Sequence, residues 1–343
     1  MKRLLNTLFI TTQGAYLSRD GETILVRIED QNKLRIPVHT LGSIVCFGNV
    51  MCTPPLMGLC AKRGVGMAFL TEYGKFLARI QGPASGNILL RREQYRMADD
   101  QLVRSRIARS IVLAKIANSR TVLKRAAREA EDSEQKNQLE KAAHSFSSIL
   151  EKLKDLEDLE AIRGVEGEAA SIYFGVFDHL IKTGKKDFFF KKRSRRPPLD
   201  NINALLSFLY TLLVHDVRSA LECVGLDPQA GYLHLDRPGR PGLALDLMEE
   251  LRSFLADRLS LTLVNRKQVQ AKGFKKTETG AVFMNDATRK EVLVSYQKRK
   301  QEEITHPFLN EKIQIGLLPH VQAMLFARYL RGDLDGYPPF FWK

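Results

Sequence analysis

The sequence predicts an α+β protein in which a small N-terminal β domain is followed by a larger all-α domain. Up to about residue 82, short runs of β-branched and aromatic residues are separated by turn signals such as Arg19-Asp20-Gly21, a pattern typical of strands. From Ile88 onward, apolar residues such as Leu102, Ile107 and Ile111 recur at near-helical steps, which indicates helices. The 343 residues are sufficient for two domains and a sizeable core.

The predicted β domain combines short strands with one helix. The helix is predicted over residues 54–63, and a hairpin over residues 66–80 turns around Glu72-Tyr73-Gly74. Four earlier strands are predicted over residues 8–10, 23–28, 34–37 and 43–47.

A compact cluster of turn-forming residues marks the predicted domain boundary. Residues 82–87 read Gly-Pro-Ala-Ser-Gly-Asn, and such residues favour loops over helices and strands. The predicted division is a β domain at residues 1–82, a linker at residues 83–87 and a helical domain at residues 88–343.

Periodicity and caps define the predicted helical domain. Asp200 is placed to cap one helix, because its carboxylate can accept backbone N–H groups of the first turn. Gly273 and Gly280 indicate a loop and hairpin. Further helices are predicted over residues 132–157, 286–301 and 312–330.

The excess of basic residues bears on the class of partner. Lysine and arginine number 53 against 39 aspartates and glutamates, a formal net charge of +14, which favours binding to nucleic acid. No apolar run reaches the roughly 18–20 residues of a membrane-spanning helix, and the N-terminal apolar stretch is too short for a signal peptide. We therefore expect a cytoplasmic protein with no membrane partner. The four cysteines lack metal-binding spacing and are expected to be reduced thiols.

Three separated segments supply residues suited to a divalent metal ion. Glu166 offers a carboxylate, His234 an imidazole, and Asp246 and Glu249 a carboxylate pair on one face of a predicted helix. This mixed set suits Mn²⁺ or Mg²⁺ better than structural zinc, and such an ion serves phosphodiester chemistry as Lewis acid and template. Glu168 points away from Glu166 on a helix, so only one of them is expected to reach a given ion.

Each of these residues also has an ordinary structural interpretation. Glu166 alone fits a surface carboxylate, and Asp246 with Glu249 fits a solvated acidic face. His234 alone fits a satisfied structural histidine. The specificity of the pattern therefore rests on the residues that flank it.

Those flanking residues resemble a family signature. Glu166-Gly167, Ala170 and Tyr173-Phe174 fit a Glu-Gly-x-x-Ala-x-x-Tyr-Phe pattern. His234 follows Gly-Leu-Asp-Pro and Gly-Tyr-Leu, and Glu249 lies in a Leu-Asp-Leu-Met-Glu-Glu stretch. The segments are similar to those of the CRISPR-associated endonuclease that integrates new spacers, the first Cas protein of the adaptation machinery. The resemblance covers the whole chain, and the length and the C-terminal Pro-Pro-Phe-Phe-Trp sequence resemble the form found with type I-C systems.

The resemblance implies a function and an assembly. It implies that Glu166, His234 and Glu249 are the metal ligands, with Asp246 as an accessory acid that is either a second ligand or an orienting group. The implied activity is that of a DNA endonuclease and integrase that uses Mn²⁺ or Mg²⁺. In it, the 3′-hydroxyl of a short duplex attacks a phosphodiester of the CRISPR array. The implied partners are double-stranded DNA, a second copy of the chain bound through the β domain, and the small second Cas protein.

A basic segment between Lys182 and Arg196 is the predicted contact to the DNA backbone, with a solvated loop as the alternative. Phe188-Phe189-Phe190 within it fits either base stacking or core packing. Tyr173 and Tyr210 fit either a contact to a splayed strand end or buried packing. The basic residues are Lys185, Lys186, Lys191, Lys192, Arg193, Arg195 and Arg196.

Two other functions stay open from the residues alone. One is a non-catalytic, basic DNA-binding scaffold whose acids and histidine are structural. The other is a structure-specific repair nuclease. The tail Phe340-Phe341-Trp342 fits either docking on a partner or packing on its own core.

Overall fold

Two four-stranded sheets form the N-terminal part of the computed structural model, which describes residues 6–29, 31–74, 76–80 and 88–342. Their strands are β1 (Asn6–Ile10), β2 (Tyr16–Asp20), β3 (Thr23–Ile28), β4 (Gln31–Pro37), β5 (Leu41–Phe47), β6 (Met51–Cys52), β7 (Gly66–Leu70) and β8 (Phe76–Ile80). One sheet has the order β1-β5-β7-β8 and the other the order β4-β3-β2-β6. The six strands predicted in this part are therefore confirmed, and β2 and β6 are additional.

Strand β2 was not predicted because its sequence does not have the pattern of a strand. Leu17 is its only fully buried side chain, while Arg19 and Asp20 are exposed, so the run lacks the apolar alternation of a half-buried strand. Its antiparallel pairing with the apolar strand β3 supplies the stabilisation that the local sequence does not indicate. The turn signal at Arg19-Asp20-Gly21 correctly marks the β2–β3 connection.

One helix in this part, α1 (Pro54–Arg63), confirms its prediction. Its buried face, formed by Leu56, Leu59 and Cys60, packs in a core shared by both sheets, with Ile44 and Leu17 among its members. Transfer of these apolar side chains from water is the main stabilising contribution here.

The β7–β8 hairpin connects the sheets to the helical part. Gly74 lies in its turn with a φ of +89°, and a Cβ at this position would lie 2.8 Å from the ring of Phe208. Only glycine therefore allows the turn to approach the helices this closely. Phe47 also packs on Phe208, with ring centroids 5.8 Å apart, and Arg79 of β8 forms an ion pair with Glu222. The predicted linker, residues 83–87, lies outside the described residues, and the boundary stays a prediction.

The larger part of the chain is predominantly helical. Its described helices are α2 (Ile88–Asp99), α3 (Gln101–Arg128), α4 (Ser133–Lys154), α5 (Leu159–Gly175), α6 (Asn201–Cys223), α7 (Gly242–Leu251), α8 (Arg258–Asn265), α9 (Asp286–Gln301) and α10 (Leu318–Leu330). A π-helical segment, Arg252–Asp257, connects α7 to α8. Side-chain caps begin several helices, and the predicted cap at Asp200 is confirmed by a 2.7 Å bond from the Asn203 N–H.

Two short hairpins interrupt the predominantly helical part. The first pairs β9 (Phe274–Lys276) with β10 (Val282–Met284), and this is the hairpin expected near Gly280. The second pairs β11 (Glu303–Thr305) with β12 (Lys312–Gln314). The helix predicted over residues 312–330 therefore begins at Leu318. In β12, Ile313 is buried, while its neighbours Lys312 and Gln314 are exposed and half-buried. This alternation of sides from one residue to the next is the period of a strand.

Helix α3 lies at the centre of the helical part and packs against α4, α5 and α7. Helix α6 is long and apolar enough to span a membrane by length and composition alone, but 56% of its most apolar window is buried inside the protein. Its buried leucines belong to the same core as those of α3, so we assign α6 as a core helix.

Candidate active site

The predicted site residues lie on two helices and one loop, and a third helix, α3, holds these helices together. Glu166 lies on α5, and Asp246 and Glu249 lie one turn apart on α7. His234 lies in the loop between α6 and α7. Both α5 and α7 pack against α3, which places the two acidic segments on either side of Lys115.

The loop that carries His234 closes tightly on the start of α7. A Cβ at Gly231 would lie 2.9 Å from backbone atoms of Gly242 and His234. A Cβ at Gly242 would lie 2.6 Å from the carbonyl oxygen of Gln229. Backbone atoms cannot yield as a flexible side chain can, so both positions require glycine for this approach. The glycine in the Gly-Tyr-Leu-His sequence is thus explained by backbone packing.

Asp246 holds the end of this loop and orients the imidazole. Its fully buried carboxylate accepts the backbone N–H groups of Tyr232, Leu233 and His234 at 2.6, 3.0 and 3.0 Å. The Nδ1 atom of His234 lies 2.6 Å from Asp246 Oδ1, where the carboxylate accepts the Nδ1–H. This tautomer leaves Nε2 as a free acceptor. The geometry therefore favours an orienting role for Asp246 over direct metal binding.

Glu249 is a buried carboxylate between two cations. Its Oε1 lies 2.8 Å from Arg252 Nη1, and its Oε2 lies 2.8 Å from Lys115 Nζ. Burial alone would raise the pKa of Glu249, but Arg252 and Lys115 outweigh it and hold the pKa at about 2. The carboxylate is therefore ionised at any physiological pH. His234 Nε2 lies 4.0 Å from Glu249 Oε1, so both groups face one point.

Glu166 completes the cluster, since its Oε1 forms an ion pair with the same Lys115 ammonium. Its side chain is 28% exposed, which leaves one side of the site open to solvent. Glu168 is exposed, as expected from its different direction on α5. The sequence-predicted residues Glu166, His234 and Glu249 are thus neighbours.

The donor set fits a divalent metal ion in its chemistry. Two carboxylates and an imidazole nitrogen, whose other nitrogen is held by an acid, match the ligand preferences of Mn²⁺ and Mg²⁺ sites. In the part of the chain that the structure describes, no three such side chains are already grouped to hold an ion. Instead, the ammonium of Lys115 lies between Glu166 and Glu249.

Sequence reasoning did not single out Lys115 or Arg252. Lys115 is one of many cations spaced along α3, and nothing in its local pattern separates it from the exposed ones. The spacing of Arg252 from Glu249 could have indicated their ion pair, because residues three apart share a helical face.

Behind the cluster, Tyr210 and Tyr173 are packing residues. The Tyr210 hydroxyl donates to Asp257 at 2.6 Å, and the Arg252 guanidinium lies 5.0 Å from the Tyr210 ring. Tyr173 is 4% exposed and packs edge-on against Phe174. Tyr173 is therefore buried in the core, whereas Tyr210 is half-buried and packs against it.

The predicted DNA-binding segment separates into exposed and inward-facing residues. Arg193 is held against α6, since it donates to Asn203 Oδ1 at 2.6 Å and to Ser207 Oγ at 3.1 Å. Lys185 lies 2.6 Å from Asp178 Oδ2. Arg193 is therefore half-buried and held against α6, and its expected contact with DNA stays a prediction. The exposed members are Lys185, Lys186, Lys191, Lys192, Arg195 and Arg196.

The aromatic residues of the same segment also separate. Phe188 and Phe190 are each 5% exposed and belong to the core, whereas Phe189 is 39% exposed. Core packing therefore accounts for two of the three rings.

The C-terminal tail packs on its own core, next to α7. Phe340 is fully buried, with its ring 5.2 Å from that of Phe254. Trp342 contacts the guanidinium groups of Arg125 and Arg258 at 4.0 and 4.2 Å. Of the two interpretations of the tail, the structure shows packing on the core.

Comparisons with known proteins agree with this architecture. The family model described as "CRISPR associated protein Cas1" matches residues 8–298. A curated relative, CRISPR-associated endonuclease Cas1 1 of Chlorobaculum tepidum, is 56% identical over 343 residues and covers 100% of both chains. No comparison addresses the type I-C form, which stays a prediction.

Solved structures share the fold. A casposase bound to an integration product matches with a TM-score of 0.84 and 22% identity, over 99% of this chain and 95% of that chain. A Cas6-RT-Cas1–Cas2 complex matches with a TM-score of 0.84 and 21% identity, over 100% of this chain and 36% of that longer chain. The family match and the full-length identity together show that the chain belongs to the Cas1 family of CRISPR-associated proteins.

Proposed function

We propose that this protein is a metal-dependent DNA endonuclease and integrase that inserts short duplexes into a CRISPR array. The observation that carries the proposal is that Glu166, Glu249 and His234, from three separate segments, lie around one partly open site, where Lys115 joins the two glutamates and His234 faces Glu249. Membership of a family whose curated relatives are named endonucleases supports the nuclease class. The likeness to a casposase bound to an integration product agrees with strand transfer.

The residues of the site would hold Mn²⁺ or Mg²⁺. Glu166 and Glu249 would supply carboxylate oxygens, and His234 would supply Nε2. A bound ion supplies Lewis-acid activation and charge stabilisation at a phosphodiester. Asp246 fixes the imidazole direction through Nδ1, and Arg252 fixes Glu249 through Oε1.

Exposed cations give the protein the means to hold DNA close to this site. Arg193 packs on Tyr210, with its guanidinium 5.3 Å from the ring, and Arg252 packs on the same tyrosine. The basic segment is therefore connected to Glu249 through two side chains. Its exposed members, Lys191 and Lys192 among them, would bind backbone phosphates.

The assembly is also proposed. We infer that the protein acts as a homodimer joined through the β domain and that it works with the small second Cas protein. The Cas6-RT-Cas1–Cas2 complex, whose chain contains this fold, supports such a partner.

Strand transfer by His234→Ala tests the proposal. The assay joins a short duplex with 3′-hydroxyl ends to a plasmid that carries a CRISPR array, with Mn²⁺ and the small Cas partner. Joining should fall more than about 100-fold, since even the outer partners of metal ligands are worth 10–100-fold. Duplex binding, measured by fluorescence anisotropy, should stay at the wild-type level.

His144→Ala is the matched control, because His144 is an exposed histidine on α4 and its loss should leave joining unchanged. Wild-type joining by folded His234→Ala would contradict the assigned site. Joining that is absent from the wild type, with metal-independent DNA binding, would favour the scaffold. Cleavage of branched duplexes without the Cas partner would favour the repair nuclease.

A further inference from the structure

Lys115 is the residue that connects the two acidic segments of the site. It lies on α3, while Glu166 lies on α5 and Glu249 on α7. Its ammonium forms ion pairs with Glu166 Oε1 and with Glu249 Oε2, the latter at 2.8 Å. Only 15% of the Lys115 side chain is exposed, so the contact is made largely away from bulk water.

The electrostatics of the cluster explain why a cation lies there. Glu249 is 3% exposed, and Glu166 faces it from another helix. Two carboxylates directed at one point in a poorly solvated site repel each other unless positive charge lies between them. Arg252 neutralises Glu249 from its Oε1 side. Lys115 is the cation that contacts both acids.

A divalent ion and the ammonium would compete for the same two carboxylates. An ion that binds both carboxylates would lie close to the ammonium that now contacts one oxygen of each, and the two positive charges would repel each other. The four-carbon stem of lysine is flexible, so its head can leave the oxygens while its Cα stays fixed in α3.

We propose that Lys115 is a positioning residue, an internal cation that holds Glu166 and Glu249 together until a divalent ion takes its place. This inference rests on the proposed metal-dependent function. Under this proposal, the affinity of the site for the ion depends on how well the ion competes with the Lys115 ammonium for the two carboxylates. The proposal also predicts that the metal-free protein depends on Lys115 for stability.

The test is Mn²⁺ binding to the purified full-length protein without DNA, measured by the electron paramagnetic resonance signal of free Mn²⁺. In Lys115→Met the stem is retained and the charge removed, so the dissociation constant should fall about tenfold or more, because both the competitor and its repulsion of the ion are gone. Lys115→Arg retains a cation and should bind Mn²⁺ no more tightly than the wild type. Lys124→Met, at an exposed lysine of the same helix, should leave the constant unchanged.

The thermal unfolding midpoint gives an independent measurement. Without metal, Lys115→Met should unfold at a lower temperature than the wild type, and a further Glu166→Gln change should restore part of the loss because it removes one of the repelling charges. Saturating Mn²⁺ should raise the midpoint of Lys115→Met by more than that of the wild type.

The outcomes separate the two proposals. If the wild type binds Mn²⁺ and Lys115→Met binds it equally or more weakly, the competition is wrong while the metal-dependent function stands. If neither protein binds Mn²⁺, and His234→Ala joins DNA as the wild type does, the proposed function fails and the competition fails with it.

Discussion

Two adjacent glutamates of α7 have opposite pKa shifts because their neighbours differ. Glu249 faces Lys115 and Arg252, and its pKa is held at about 2. Burial raises the pKa of Glu250 to about 8, although three donors partly offset it. They are the Phe340 N–H, the Tyr337 hydroxyl and the Gln322 amide, at 2.8, 2.7 and 2.9 Å. Glu249 thus belongs to the charged site, and Glu250 is the attachment point of the C-terminal tail.

The Glu250→Gln variant should have a flatter dependence of stability on pH. In the folded protein Glu250 retains its proton up to about pH 8, whereas in the unfolded chain it loses it near pH 4.5. The contribution of Glu250 to the free energy of unfolding is therefore complete below pH 4.5. It is lost as the pH rises toward 8, by up to about 1.4 kcal/mol per pH unit. Urea unfolding at pH 6, 7 and 8 measures the free energy of unfolding of both proteins. Subtracting one value from the other removes the effect of the ionisable groups that the two proteins share. A difference that does not change with pH would show that Glu250 is ionised in the fold.

At this scale the sequence predicted the acids and the histidine but not the cations. Glu166, His234 and Glu249 could be singled out because their flanking residues form recognisable patterns, and some of those residues are required by packing, as Gly231 is. Lys115 was not found, because its role depends on contacts with residues 51 and 134 positions away. The half-buried position of Arg193 was not predicted, because composition does not show which cations of a loop face inward.

At the scale of elements, short strands were the difficult cases and long helices the easy ones. Helix α9 was predicted at its observed bounds, and in the structure the side chain of Asn285 caps its first turn. Strands β2 and β12 were missed, because each is held by its hairpin partner rather than by its own sequence.

The exposed lysines of the basic segment should contribute to DNA affinity. Lys191→Glu/Lys192→Glu should weaken duplex binding and reduce the slope of log affinity against log salt by about 1 for each phosphate that is no longer neutralised. Fluorescence anisotropy at several salt concentrations measures both quantities. Arg193 is left intact, because its change would disturb α6.

The control for this prediction is Lys136→Glu/Lys141→Glu, which makes the same change in net charge at exposed positions of α4. A slope reduced equally in both variants would show that only the net charge matters. An unchanged slope in Lys191→Glu/Lys192→Glu would remove the segment from the DNA interface.

For the whole molecule, the fold class and the meeting of distant segments could both be predicted, since each depends on many residues at once. The division into a β part and a predominantly helical part follows from a change of apolar period near residue 88. How the parts pack could not be predicted. Val45, Phe47 and Leu70 of the sheets join the core of the helices, and periodicity within each part carries no information about such packing.

The central claim, that one centre built on Glu166, His234 and Glu249 performs strand transfer, is tested most directly by two neighbouring glutamates. Glu166→Ala and Glu168→Ala remove the same group two residues apart on α5, and only Glu166 faces Lys115. Joining of a 3′-hydroxyl duplex to a CRISPR array in Mn²⁺ should be lost in Glu166→Ala and retained in Glu168→Ala, with equal duplex binding by both. Equal joining by the two variants would contradict the account.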